Sequence, residues 1–140
     1  EIIGTNSRLD TIQAVVLIEK MKNLNFLISK RKYISNYYHN NINNKNIIKL
    51  DYTIGCVYHQ YVIKSKKIKK LLTYLEQKNI PFGRHYPKPL HKLKAVNKIF
   101  KGQKFKNSEK LAYYGVSIPT NPLLSLKDLK YICNSLNKFN

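Results

Sequence analysis

Acidic side chains are what this sequence has least of: seven in 140 residues, namely Asp10, Asp51, Asp128 and four glutamates. So sparse a set leaves little room for a paired-carboxylate acid–base centre. Glycine is scarce at five, and none of it forms a Gly-rich phosphate loop or a Gly-x-Ser-x-Gly nucleophile turn. The two cysteines, Cys56 and Cys133, stand far apart without a framework spacing. They read as reduced thiols of a cytoplasmic protein. Cys56-x-x-His59 has no matching second half, and His85 and His91 lack the spacing of a shared metal, so no metal site is expected. Long apolar runs are missing too. Ala14 to Ile18 is the longest near the start, far short of the ~20 residues that span a bilayer. No signal peptide is recognisable, and the first residues already read as helix entry, so a fragment is expected.

What the sequence has in excess is positive charge, +19 formally, from 26 basic residues. Nucleic acid or another polyanion is the functional reading. The plainer reading is AT-rich coding. Only Arg8, Arg31 and Arg84 are arginines, asparagine and isoleucine are abundant, and the lysines are spread along the whole chain. A dedicated phosphate-binding surface would use more of arginine's planar fork.

Apolar residues from Ile12 to Tyr38 recur at steps of three and four, which predicts one long amphipathic helix with Asp10 as its N-cap. The polar run His39 to Asn46 predicts a loop. Val57–Ile63 reads as a strand, with His59 packed among aromatics. Lys66–Lys78 reads as a helix and Phe82–His85 as a short strand. Pro87 and Pro89 force a stiff corner. Short helices are expected over Leu93–Phe100 and over Glu109–Tyr114 with Ser108 as cap. Val116–Pro119 should be extended, and Ser125 should cap a last helix, Leu126–Leu136. Strands alternating with helices give an α/β or α+β class, with a small sheet covered by helices.

Two polar constellations stand out. Asn6 and Arg8 lie in the loop entering the first helix, where an amide and a guanidinium suit a phosphate or carboxylate; from the residues alone, an Asx-turn and a surface ion pair are the plainer explanation. The second is Gly83-Arg84-His85-Tyr86-Pro87-Lys88-Pro89-Leu90-His91. It displays an imidazole, a phenol and a guanidinium on a proline-stiffened corner, which lowers the entropy cost of holding a pose. A turn with a buried tyrosine is the alternative.

Three segments resemble, in order, the DegT/DnrJ/StrS-type nucleotide-sugar aminotransferases. They are Gly4-x-Asn6-Ser7-Arg8-Leu9-Asp10-x-x-Gln13-Ala14, then Val57-Tyr58-His59-Gln60-Tyr61-Val62-Ile63, then His85-Tyr86-Pro87-x-Pro89-Leu90-His91 with Ser117-Ile118-Pro119-x-x-Pro122. The resemblance implies an aspartate-aminotransferase-like α/β fold (fold type I). Residues 1–40 would be the end of the large domain and a bridging helix, and 41–140 a small C-terminal domain with a largely antiparallel sheet. It implies pyridoxal 5'-phosphate as cofactor and transfer of an amino group from glutamate to a keto-sugar nucleotide, for glycan or surface polysaccharide synthesis. A cytoplasmic homodimer with interfacial active sites is implied as well. Asn6 is similar to the family's cofactor-phosphate residue. Arg8, His85 and Tyr86 are similar to residues that approach the nucleotide-sugar. The Schiff-base lysine has no counterpart in this stretch, so the piece alone should be inactive. With its large domain absent, the apolar face of the Ile12-to-Ile28 helix should drive association. The alternative, from charge, is a small basic nucleic-acid-binding module.

Overall fold

The computed structural model describes residues 8–140. Asn6 lies outside the described residues, as does most of the first polar loop. The chain then runs through α1 (Thr11–Met21), α2 (Leu24–Asn41), β1 (Ile48–Lys49), β2 (Tyr61–Lys64), α3 (Ile68–Gln77), α4 (Lys106–Tyr114), β3 (Gly115–Ile118) and α5 (Leu126–Asn137). The class is α/β, as read.

Asp10 caps α1: its carboxylate accepts from Ile12 N at 3.0 Å, and Gln13 Oε1 accepts from Asp10 N at 3.3 Å. The single long helix expected up to Tyr38 is broken at Lys22–Asn23. There Lys22 N bonds Glu19 O and Asn23 N bonds Lys20 O, a tightening to three-residue spacing. Asparagine is a poor helix interior residue because its amide competes for backbone partners, and Asn23 sits at the break. No residue of α1 is buried, whereas Ile34, Ser35 and Tyr38 of α2 are.

The sheet is antiparallel in the order β1-β2-β3, with Tyr61 opposite Ile118 and Val62 opposite Ser117. Tyr61 and Ile63 alternate inward along β2, the period-two pattern of a half-covered strand. They meet Ile34 and Tyr38 of α2, Leu71 and Leu75 of α3, Val116 of β3, and Leu129 and Leu136 of α5 in one core. Tyr38 is fully enclosed; its hydroxyl donates to Pro119 O at 2.8 Å and its ring lies 5.3 Å from that of Tyr61. Burial pushes the Tyr61 phenol up to about 12. Ser125 and Asp128 form a reciprocal cap on α5, as the sequence predicts for the serine.

Other expectations need correcting. His39 to Asn41 are helical, the end of α2. The asparagines beyond them tie that end to α5: Asn44 Nδ2 donates to Leu136 O and Phe139 O, each at 2.7 Å, and Asn137 Nδ2 donates to Asn41 O at 2.8 Å. The strand expected at Val57 begins only at Tyr61. Tyr58 has a left-handed φ of 49°, which breaks the pleat, and its hydroxyl accepts from Thr53 N at 2.9 Å to close the 53–58 loop. His59 is therefore exposed and not packed in the core. Leu93–Phe100 is a chain of turns whose bonds alternate between three- and four-residue spacing, so no helical ladder builds up.

Candidate functional site

Residues 82–84 run beside β3 and touch it through one bridge rather than a strand. Gly83 N donates to Ser117 O at 3.0 Å and Ser117 N to Gly83 O at 2.8 Å. The chain then turns outward and sets His85 and Tyr86 on the surface, the tyrosine 77% exposed, with their rings edge-on at 5.9 Å. The peptide between them is cis. Pro89 is buried and starts a 3₁₀ turn, Leu90–Lys92, that ends the corner. The buried-tyrosine alternative therefore fails at Tyr86, which faces outward.

Two anchors tie the corner to α4. Arg84 Nη2 donates to the carbonyls of Ala112 and Tyr113, in the last turn of that helix. A cation at the carboxyl end of a helix meets both its unsatisfied carbonyls and its negative dipole end. The second anchor is His91, buried against Phe105 with ring centroids 4.8 Å apart. Its Nε2 lies 3.0 Å from Glu109 Oε1, and Lys92 Nζ lies 3.5 Å from the same oxygen. The His91 hydrogen bond, with Lys92 adding to it, holds the Glu109 carboxyl below its ordinary range. Ser108, expected as the cap of α4, is instead inside the helix, which starts at Lys106.

Between corner and α4 lies a cleft of about 210 Å³ lined by His85, Tyr86, Lys88, Ser108, Leu111 and Ser117 among others. A shallower groove of about 360 Å³ on the other side of His85 includes His59, Gln60, Phe82, Ser117 and Thr120. His85 and Ser117 belong to both, and Ser117 Oγ is 3.3 Å from His85 Nδ1. The set is polar and cationic: an imidazole, an ammonium, a phenol and two hydroxyls, all able to donate to phosphate or sugar oxygens. The fold brings His85 and Tyr86 together. Arg8 stands exposed just before α1 and is not among the residues lining either cleft. Ser117 and Lys88 lie within the segments quoted from the sequence but carry no site role there. The place of Ser117 beside His85 follows from pairing β3 with the glycine at position 83.

The model of the DegT/DnrJ/EryC1/StrS aminotransferase family matches residues 1–137. The chain is 32% identical, over 97% of its length, to a dTDP-3-amino-3,6-dideoxy-alpha-D-galactopyranose transaminase of Aneurinibacillus thermoaerophilus. It is 29% identical, over 96%, to a UDP-2-acetamido-2-deoxy-3-oxo-D-glucuronate aminotransferase of Pseudomonas aeruginosa. The chain spans only 38% and 37% of the lengths of these two relatives. A crystal structure of a DegT DnrJ EryC1 StrS aminotransferase from Brucella abortus superposes with a TM-score of 0.84 at 31% identity. That match covers 98% of this chain and 37% of the other. The chain belongs to the DegT/DnrJ/EryC1/StrS aminotransferase family.

Proposed function

We propose that this chain is the C-terminal part of a transaminase that moves an amino group from glutamate to a keto-sugar nucleotide, with pyridoxal 5'-phosphate as cofactor, in glycan or surface polysaccharide biosynthesis. Residues 1–40 would close the large domain and bridge to the small one, and 41–140 would be the small domain. The observation that carries the reading is the His85–Tyr86 corner: donor side chains exposed beside a cleft, on a segment matched by the family model. His85 and Tyr86 would bind the nucleotide-sugar. Arg8 would join them, and Asn6 would bind the cofactor phosphate, each across the interface of a homodimer.

We infer that the described residues do not by themselves hold the cofactor. None of their lysines is buried. Lys49, which is half-buried, spends its ammonium on the carbonyls of His39 and Ile42 at 2.5 and 2.8 Å. A lysine that forms a Schiff base is activated by desolvation or by a neighbouring cation, and the exposure of the described lysines does not favour the first. The chain alone would therefore bind and orient substrate without turning it over. Its exposed cations and hydroxyls would hold phosphate and sugar oxygens, and Tyr86 would offer a ring face and a phenol.

Calorimetric titration of UDP and dTDP against the chain tests this. Micromolar to millimolar binding that weakens in His85→Ala and Tyr86→Ala supports the reading. Binding that ignores both substitutions, or that matches duplex DNA in its loss with salt, would sink it.

A further inference from the structure

We propose that Gly83 and Ser117 are positioning residues for His85, which together present its Nε2–H as a hydrogen-bond donor to an oxygen of the bound substrate. The inference rests on the reading of His85 as a substrate-binding residue. It goes further by assigning the imidazole's tautomer and the two residues that enforce it.

The steric part is at Gly83. A Cβ at this position would overlap His85 Cε1 and lie 3.0 Å from Nε2 and 3.1 Å from Nδ1. The ring is thus folded back over the Gly83 backbone, into space that only glycine leaves. Gly83 is not among the residues with left-handed φ, so conformational freedom is not the reason for glycine here. What matters is the close approach of the ring.

Ser117 supplies the chemical part. It is 7% exposed on β3, and its Oγ lies 3.3 Å from His85 Nδ1, with no other hydrogen bond among the described residues. A serine hydroxyl can donate or accept, and the imidazole nitrogen is the one protein acceptor among the described residues within reach of its proton; accepting from an Nδ1–H instead would leave that proton to solvent. Donation to Nδ1 makes that nitrogen the bare one of the neutral ring, which leaves the proton on Nε2. Reciprocal backbone bonds between Gly83 and Ser117, at 3.0 and 2.8 Å, fix the separation of the two positions. The pose is therefore set by the sheet and not by the outer loop. Nε2 itself has no partner among the described residues, and the ring borders both clefts. A phosphate, carbonyl or hydroxyl oxygen would complete it.

Long-range ¹⁵N–¹H spectra of the histidine rings, assigned with His85→Gln, test the device directly on the chain. His85 should be almost wholly in its Nε2–H form. Ser117→Ala should return it toward the mixture of an unconstrained imidazole, and Ser117→Thr, which keeps the hydroxyl, should restore it. Gly83→Ala should lose the preference although the hydroxyl remains. If that variant does not fold, the Ser117 pair decides alone. A mixture in the unaltered chain, or a ring indifferent to Ser117→Ala, overturns the proposal.

UDP titrated into the same samples separates this from the functional reading. Ser117→Ala should weaken UDP roughly threefold to tenfold, the worth of one hydrogen bond. In a His85→Ala background it should cost nothing more, whereas a merely structural serine would still matter there. A fixed tautomer with no response of His85 to UDP would remove the nucleotide-sugar reading and leave the positioning intact. A His85 response to UDP in an unfixed ring would do the reverse.

Discussion

The helices α1 and α2 continue one another in sequence and have opposite surroundings. Along α1, Ile12, Val15, Val16, Leu17, Ile18 and Met21 are all exposed, Ile12 by 77%. The last turns of α2 bury Ile34, Ser35 and Tyr38 against the sheet and α5. Periodicity marks an apolar face but does not say what covers it. Isolated helices shorter than ~12–15 residues are marginal in water, and α1, at 11 residues, has no described packing to compensate. The core of this chain starts in the second helix.

Tyr38 is the sharpest probe of that contrast. Its ring fills the space between α2 and β2, and its hydroxyl pins α2 to the carbonyl of Pro119. Tyr38→Ala should cost about 3–5 kcal/mol, the range for deleting a buried aromatic ring. Tyr38→Phe should cost about 1 kcal/mol, since only one hydrogen bond goes. Urea denaturation followed by circular dichroism measures both. A loss below about 1 kcal/mol for the alanine variant would mean that α2 is not part of the cooperative core.

Arg84 comes next. It fastens the His85 corner to the last turn of α4 through two carbonyls. Arg84→Met keeps much of the aliphatic stem and removes the charged donors, so about 1–2 kcal/mol should be lost. Arg84→Lys should recover part of it, because an ammonium lacks the fork that reaches two oxygens. Equal melting curves for all three would show that the proline corner holds itself.

These two sites also measure what could be read in advance. The α3 and α5 helices, their faces and the Ser125 cap follow from local pattern, because periodicity and capping are short-range signals. Tyr38's bond to Pro119 and Arg84's to Ala112 join residues far apart in sequence, and nothing at either end announces the other. The strand at Val57 was misplaced for a related reason. Residue preference favours strand there, but Tyr58 takes a left-handed turn to satisfy Thr53. In the candidate site, the corner that carries His85 and Tyr86 stands out through the family motif and the prolines. The contact between Ser117 and His85 does not, since it enters through strand register. The His91–Glu109 pair was missed because its partners stand 18 positions apart, across the turns that precede α4.

Glu109 gives a smaller, pH-dependent effect. Its carboxyl titrates below its ordinary value of 4.5, first through the His91 hydrogen bond and then through Lys92. A group depressed in the folded state contributes stability that is fully present above the unfolded pKa and disappears as pH falls through the folded one. Melting temperature should therefore drop as pH is lowered from about 5, and Glu109→Gln should flatten part of that drop. Asp128, lowered by its Ser125 hydrogen bonds, titrates in the same window, so the difference between the two proteins is the informative quantity. Identical acid limbs would show that the 90–105 segment is held by Phe105 packing alone.

The weakest effect on stability belongs to α1, and it completes the contrast with α2. Replacing Ile12 with Lys and Val16 with Glu adds charges one turn apart to a face that no described residue covers. A substitution away from packed features stays within about ±0.5 kcal/mol; the higher helix propensity of Lys and Glu over Ile and Val is opposed by a lysine at the positive end of the helix dipole. Stability of the core should therefore hardly change. Association should change a great deal, because an uncovered apolar stripe is what draws copies together. Sedimentation velocity should show oligomers for the unaltered chain and a shift to monomer for the double variant, at the same urea midpoint. A midpoint lowered as far as that of Tyr38→Ala would put α1 inside the core, and the two helices would then differ only in exposure and not in role.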